Sequence, residues 1–189
     1  MASTKRAIAP REQLLQTAAR LFYTEGINGV GVERILQEAG VTRTTMYRHF
    51  DGKEALVVAY LEREDSRMKE LWDAGLARAV SPQHKLELAI EGIAADAAER
   101  HTLGCPFIKA AGEFPDPASP VRQVVTRHRA WFHDDLRAML TDAGRADIEV
   151  KAEALAMLRD SLLIGSFLDD KDSARRTFVR TARWIADLG

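Results

Sequence analysis

The chain has 189 residues, of which 46% are apolar and 29% are charged, and its formal net charge is −1 at pH 7. This composition is ordinary for a globular domain, and a net charge so close to zero gives no sign of a nucleic-acid partner. No apolar run reaches the length of about 20 residues that a transmembrane helix needs, so we expect no membrane partner. The single cysteine, Cys105, excludes an intramolecular disulfide and fits a reducing cytoplasm.

The beginning of the chain is more basic than the rest. Residues 1–9, MASTKRAIA, lack the apolar core of a signal peptide, and we predict that they form a flexible basic arm. Residues 1–53 contain eight basic and five acidic side chains, whereas the remainder has a net charge of −4. Such a division is typical of a nucleic-acid-binding head on an acidic body, but one this small also arises by chance.

Apolar residues recur at helical spacing along the whole chain, and no stretch alternates with the period of a strand. Gly26 and Gly40 are predicted to end the first two helices, because glycine accommodates the left-handed residue past a helix end. Thr42 is a candidate N-cap, and the pairs Ser81–Pro82 and Ser119–Pro120 each place a capping serine before a proline at the first helical position. We predict an all-α fold of about nine helices, over residues 11–23, 32–39, 43–49, 53–78, 82–101, 106–113, 120–143, 148–168 and 173–188.

The stretch from Gly40 to Leu56, GVTRTTMYRHFDGKEAL, contains a short helix with few apolar residues. Met46 and Phe50, four residues apart, can hold one face of it against the protein. Two short helices joined by a glycine turn, the second of them polar, are typical of a helix-turn-helix. A helix in a major groove needs polar groups for phosphates and base edges, although a solvated surface helix can have the same composition.

The surrounding residues resemble the DNA-binding head of the tetracycline-repressor (TetR) family of transcriptional regulators. The similar run is LLQTAARLFYTEGINGVGVERILQEAGVTRTTMYRHFDGKEALVVAYL. It includes the aromatic end of the first helix with Gly26, the turn at Gly40, the Tyr47–Phe50 block YRHF, and Lys53 and Glu54 opening the fourth helix. The resemblance covers about the first 55 residues; the remainder is similar only in its helical pattern and its length.

The resemblance implies roles for the polar positions of the third helix. Its front is where the family contacts bases and phosphates, and Tyr47 and His49 match positions that contact phosphate or sugar. Arg43 and Arg48 are the candidates for base reading, since arginine suits guanine O6 and N7. Lys53 matches a common phosphate contact at the positive end of a helix dipole. The predicted DNA-binding residues are Thr42, Arg43, Thr44, Thr45, Tyr47, Arg48, His49 and Lys53.

Two positions depart from the family pattern. Val32 stands where the family often has a hydroxyl residue that binds phosphate, and Thr44 replaces a frequent glycine, which moves the third helix outward from the groove. Lys5, Arg6 and Arg11 either compensate by reaching the backbone or minor groove, as homeodomain arms do, or remain a solvated tail.

In this family the head, here residues 1–52, is joined to a body, here residues 53–189, that dimerises through its last two helices and holds a small-molecule effector. The predicted dimer interface consists of Leu155, Leu158, Leu162, Phe178, Trp184 and Ile185. The candidate effector-binding residues are Trp72, Phe107, Phe114, His128, Trp131 and Phe167, which suit a mostly apolar ligand.

Other classes of function make different demands on the sequence. A small helical enzyme could pair Cys105 with His101, but Gly104 and Pro106 disfavour one continuous helix there and no third orienting group is evident. Cys105 could instead act as a redox-sensing thiol. A metal sensor is disfavoured, because the five histidines and the cysteine lack close ligand spacing. A helical adaptor is also disfavoured, because it would need an exposed apolar stripe on the third helix, and that helix is polar.

The sequence therefore predicts a cytoplasmic, homodimeric, non-enzymatic regulator that binds a palindromic operator. We expect an unidentified small-molecule effector to release it, and repression is the family's common outcome. No metal or other cofactor is expected.

Overall fold

The structure, a computed structural model, describes residues 9–189, and within them the chain forms nine α-helices and no strand. The predicted bounds agree with these helices to within three residues, which confirms the all-α prediction. Lys5 and Arg6 of the predicted arm lie outside the described residues. The helices are α1 (Pro10–Glu25), α2 (Val32–Ala39), α3 (Arg43–His49), α4 (Gly52–Leu76), α5 (Pro82–Glu99), α6 (Pro106–Glu113), α7 (Pro120–Asp142), α8 (Ile148–Leu168) and α9 (Lys171–Ile185).

Side-chain caps define several helix starts. The hydroxyls of Thr42, Ser81 and Ser119 each accept a hydrogen bond from the backbone N–H three residues later, as predicted. α9 begins two residues before its predicted start, because the Asp170 carboxylate accepts a 2.7 Å bond from the Ser173 N–H.

The two glycines after α1 and α2 have different conformations. Gly40 lies in the left-handed helical region, with φ 64° and ψ 32°. Gly26 has φ 85° and ψ 156°, outside that region, which corrects the predicted geometry while still requiring a residue without a side chain.

The head consists of α1, α2 and α3, which pack against one another, and α1 also packs against α4. Ile35 of α2 and Met46 of α3 are fully buried against α1. The Phe22 and Tyr60 rings, 5.9 Å apart, join α1 to α4. The apolar core therefore continues from the head into the body.

The body packs α4 against α5 and α7, and α8 against α7 and α9, with α9 also covering α5. α6 lies on α7 and reaches the head at the end of α1. Among the helices of residues 9–189, none has the length and apolarity needed to cross a membrane.

Candidate functional site

α3 is held to the head by one narrow apolar edge. Met46 is fully buried and Phe50, at the carboxyl end of the helix, is 5% exposed. The Arg11 guanidinium lies 5.2 Å from the centre of the Phe50 ring, so Arg11 is a residue of α1 that covers this edge. The opposite face of α3 is left free of the protein's own core.

The polar side chains predicted to contact DNA lie together on that outer face. Six of them, Thr42, Arg43, Thr44, Tyr47, Arg48 and His49, are exposed, and Thr45 is half-buried. The hydroxyls of Thr42 and Thr45 lie 2.9 Å apart and tighten the first turn. Arg43 forms an ion pair with Glu33 of α2, and since both side chains are mostly exposed the pair contributes little to stability.

Lys53 lies in the first turn of α4, beside the carboxyl end of α3. Partial burial lowers the pKa of its ammonium group, and the nearby Glu113 carboxylate opposes that shift. Lys53 is thus a cation at a helix amino terminus, where the backbone dipole also favours an anion.

The junction between α6 and the head is a set of polar contacts that the sequence did not reveal. The Glu113 carboxylate accepts a 2.8 Å hydrogen bond from the Ile27 N–H and another from the Asn28 N–H. The Lys109 ammonium donates to the Tyr23 carbonyl at 2.6 Å. Two residues of α6, one turn apart, therefore hold the end of α1 and the turn that follows it.

A second contact at this junction involves the Tyr23 hydroxyl. It donates to the Gly104 carbonyl at 3.1 Å and accepts from the Leu103 N–H at 3.0 Å. Burial raises the pKa of this phenol above its ordinary value of 10.0, which further favours the protonated form that donates to Gly104. Donor and acceptor lie about 80 residues apart in the chain, which is why no local pattern predicts them.

The body contains a cavity of about 70 Å³ between α4, α5, α7 and α8. Its wall is mostly apolar, and the Trp72 indole donates to the Asp135 carboxylate at 2.6 Å. The lining residues are Met68, Leu71, Trp72, Gly75, Leu76, Leu88, Gly92, Ile93, Asp96, Arg100, Trp131, Phe132, Arg159 and Leu163.

Of the six candidate effector-binding residues, only Trp72 and Trp131 line this cavity. Phe107 and His128 are instead buried in a stacked pair, with ring centres 3.7 Å apart. Phe114 is packed at the end of α6, and Phe167 is exposed near the end of α8. Aromatic content alone does not indicate which side of a helix borders a cavity, and sequence periodicity does not single out Arg159 as a lining residue.

The residues predicted for the dimer interface divide into two groups. Leu155, Leu162 and Phe178 are buried within the protomer, which corrects their assignment to an outer surface. Leu158 and Ile185 are partly buried against the core, whereas Trp184 is 76% exposed. α8 has apolar residues on more than one side, so its sequence does not reveal which side faces inward.

A different apolar set on α8 and α9 is exposed. Val150, Met157 and Ile164 follow one another at intervals of seven on α8, which places them on one stripe of the helix. The exposed apolar residues of these two helices are Val150, Met157, Ile164, Phe167, Leu168 and Trp184.

The residues behind the alternative functions are arranged as follows. Cys105 is 2% exposed, directly before α6. The His101 imidazole lies 2.5 Å from the Asp96 carboxylate, and no hydrogen bond joins it to Cys105. Within the described residues, no group of three or more histidine, cysteine or acidic side chains has the arrangement of a metal site.

Comparison with known proteins supports the resemblance of the head to the TetR family. The family model described as "Bacterial regulatory proteins, tetR family" matches residues 14–60. The uncharacterised HTH-type transcriptional regulator Rv1255c of Mycobacterium tuberculosis (strain ATCC 25618 / H37Rv) is 34% identical over 88 residues, which are 47% of this chain and 44% of that protein. The chain thus spans less than half the length of this curated relative.

Solved structures are similar over almost the whole chain. SCO4454, a TetR-family transcriptional regulator from Streptomyces coelicolor, has a TM-score of 0.90 and 35% identity, with 94% of each chain covered. A TetR-type regulator from Streptomyces avermitilis, sav143, has a TM-score of 0.81 and 25% identity, covering 95% of this chain and 99% of that one. The helix-turn-helix match in the head, and a 35% identity that extends through the body, show that this chain belongs to the TetR family of transcriptional regulators.

Proposed function

We propose that the protein is a homodimeric repressor that binds a palindromic DNA operator through α3 and is released by a small-molecule effector bound in the body. The observation that carries the proposal is the outer face of α3. Polar side chains cover this face, while Met46 and Phe50 hold the opposite edge. An operator-binding protein acts where the chromosome lies, so we place it in the cytoplasm.

The arrangement of cations on the head supports a division between positioning and base reading. Arg43 and Arg48 are exposed on α3 and can reach base edges, where arginine forms paired hydrogen bonds to guanine. The proposal assigns Tyr47, His49 and Lys53 to the phosphate backbone, which fixes the position of the protein on the DNA. Arg43 must first leave Glu33, which costs little because the pair is exposed.

The exposed apolar stripe on α8, with Trp184 of α9, supports dimerisation through these two helices. Exposed apolar surface of this kind marks an interaction site, and a two-fold axis would place the same stripe of a second copy against it. Pairing the bodies sets the distance between the two α3 helices, which must match half-sites about one DNA turn or more apart.

The position of the cavity supports an effector-dependent release. At about 70 Å³ it is smaller than the engineered cavity of about 150 Å³ that binds benzene, so an effector buried there would move the walls apart. One wall is α4, which also packs on α1. Glu113 and Lys109 of α6 provide a second connection to the head. Movement of the walls would therefore change the position of α3.

The burial of Cys105 favours a small-molecule effector over the redox alternative, because an oxidant reaches a thiol that is 2% exposed only after the protein opens. The enzymatic alternative is not supported, because His101 is oriented toward Asp96 and forms no hydrogen bond with Cys105 in the described part of the chain.

Selection of bound sequences from a random DNA pool, followed by titration of the enriched site across salt concentrations, tests the proposal. We expect a palindrome with two half-sites and a steep fall in affinity with salt, because several phosphates are neutralised. Recovery of no enriched sequence at low salt would contradict it. The enriched site would then serve to find effectors through loss of binding.

A further inference from the structure

The cavity between α4, α5, α7 and α8 contains one polar group whose bonding is incomplete. Arg159 of α8 lines this otherwise mostly apolar space and is only 5% exposed. Its Nη2 atom is almost fully shielded from water and has no hydrogen-bond partner among residues 9–189. A buried donor without a partner costs free energy, and a charged donor costs more than a neutral one.

The other contacts of Arg159 hold the guanidinium in place. Nη1 donates to the Asp160 carboxylate at 3.1 Å, but that carboxylate also accepts a 2.7 Å bond from Arg129. One carboxylate therefore serves two guanidinium groups. The central carbon of the Arg159 guanidinium lies over the Phe132 ring, 5.1 Å from the ring centre. The position of the side chain is thus set while part of its charge remains uncompensated.

The remaining charged residues on the cavity wall compensate one another. The Asp96 carboxylate accepts from Arg100 at 2.8 Å and lies 2.5 Å from the His101 ring. Burial raises the pKa of Asp96, but the bonds from His101 and Arg100 outweigh this and leave the pKa lowered. Asp96 is therefore an anion that is already paired, and Arg159 is the cation left for a ligand.

We infer that the effector is an apolar organic acid whose carboxylate binds Arg159 and whose hydrocarbon part lies against Trp72 and Trp131. This inference rests on the proposed function and specifies the ligand class. Arginine and carboxylate form short, charge-assisted hydrogen bonds that are stronger than neutral ones. The apolar wall disfavours small inorganic anions, which have no hydrocarbon part to bury.

The size of the cavity adds a mechanical consequence. Because Nη2 is shielded from water and the cavity that Arg159 lines is only about 70 Å³, a carboxylate would reach it by displacing the side chains that cover it and moving the surrounding helices apart. The bond to Arg159 and the burial of the hydrocarbon part would provide the free energy for that separation. Binding of the acid is thereby coupled to α4 and through it to the head.

Calorimetry on the purified full chain without DNA tests the inference. The probes are benzoate, phenylacetate, 3-phenylpropanoate and octanoate, each compared with its primary amide, which has nearly the same shape but no charge. We expect at least one acid to bind about tenfold or more tightly than its amide. Arg159→Met should remove this preference, so that the acid and its amide bind with about equal affinity.

Arg127→Met is the matched control, because Arg127 is an exposed arginine of α7 that pairs with Glu62 and does not line the cavity; this variant should keep the preference for the acid. Far-ultraviolet circular dichroism checks that each variant keeps its helices. Arg159→Gln replaces Arg159→Met if the latter does not fold. Equal affinities for acid and amide, no binding of any acid at about 10 mM, or a preference that survives both Arg159 variants would overturn the inference.

The two proposals fail separately. If a DNA sequence is enriched but no acid binds, the proposed regulator stands and the proposed class of ligand is wrong. If an acid binds at Arg159 but no DNA sequence is enriched, the ligand site stands and the proposed repressor function is wrong.

Discussion

At the scale of single residues, the proposed function assigns the reading of the DNA sequence to the exposed face of α3. It gives base contacts to Arg43 and Arg48 and backbone contacts to Tyr47 and Lys53. The two kinds of contact have different experimental signatures, because phosphate contacts contribute to affinity for every sequence and base contacts only for the correct one.

Arg43→Ala or Arg48→Ala should relax the preference at one base pair by about 1–3 kcal/mol. The measurement is the affinity for the selected operator and for each of its single-base variants. An equal loss across all variants would assign the arginine to the backbone instead.

Tyr47→Ala and Lys53→Ala should weaken binding to all sequences about equally. Loss of the Lys53 charge should also reduce the slope of log affinity against log salt by about one, since one phosphate contact disappears. Glu70→Gln, a change at an exposed residue of α4, is the control and should alter neither quantity.

His128 makes the stability of the protein sensitive to acid. Burial lowers the pKa of its imidazole to about 4, against the opposing hydrogen bond to Asp65. Between this value and the ordinary pKa of 6.5, the unfolded chain binds more protons than the folded one. Stability should therefore be full above about pH 6.5 and should decline as the pH falls toward 4.

The test is urea unfolding at pH 7, 6 and 5 of the wild type and of His128→Phe. Phenylalanine keeps the stacking on Phe107, and Asp65 keeps its bond to Lys69. We expect a shallower decline of the unfolding free energy in the variant. Parallel curves would show that His128 does not titrate in this window.

At the scale of helices, α6 is short but joins the body to the head. Its Glu113 carboxylate accepts two backbone N–H groups of the turn after α1 and lies near Lys53. A carboxylate bound to two amides positions that turn more firmly than a neutral side chain could, because charge-assisted hydrogen bonds are stronger.

Glu113→Gln should lower the unfolding free energy by about 1–3 kcal/mol, since the charge that binds both N–H groups is lost. It should also weaken the effect of an effector on operator binding, because one of the two connections between body and head is loosened. The measurements are urea unfolding and operator affinity with and without the effector, with Glu70→Gln as the exposed control. If the effector changes operator affinity in this variant as much as in the wild type, the coupling between body and head runs through α4 and not through α6.

At the scale of the whole molecule, dimerisation determines whether two α3 helices can bind one operator together. The exposed residues of α8 and α9, not the buried ones, are available to a second copy. Leu162 is 3% exposed, so a charge there would disrupt the protomer's own core and would give no information about the interface.

Met157→Glu places a charge in the exposed stripe of α8 and should give monomers in analytical sedimentation, with a large loss of operator affinity. Val80→Glu is the matched control, because Val80 is also apolar and 87% exposed but lies between α4 and α5. A dimer that persists in Met157→Glu, at the same concentration as wild type, would place the interface elsewhere.

The sequence by itself determined the helices and the polar composition of the outer face of α3. Helix bounds depend on interactions within a few residues, such as the Thr42 and Ser119 caps, and these can be read locally. The polar positions of α3 also follow from a short pattern anchored by Met46 and Phe50. Both predictions needed no knowledge of how distant helices pack.

Only the tertiary structure decided which residues of the body face inward, outward or toward the cavity. Leu162 and Ile164 are two residues apart on α8, yet one is buried and the other exposed. Arg159 is surrounded by α4, α5 and α7 as well as its own helix, and Glu113 binds a backbone N–H 86 residues away. These properties arise from several helices packed together, so the periodicity of one helix cannot encode them.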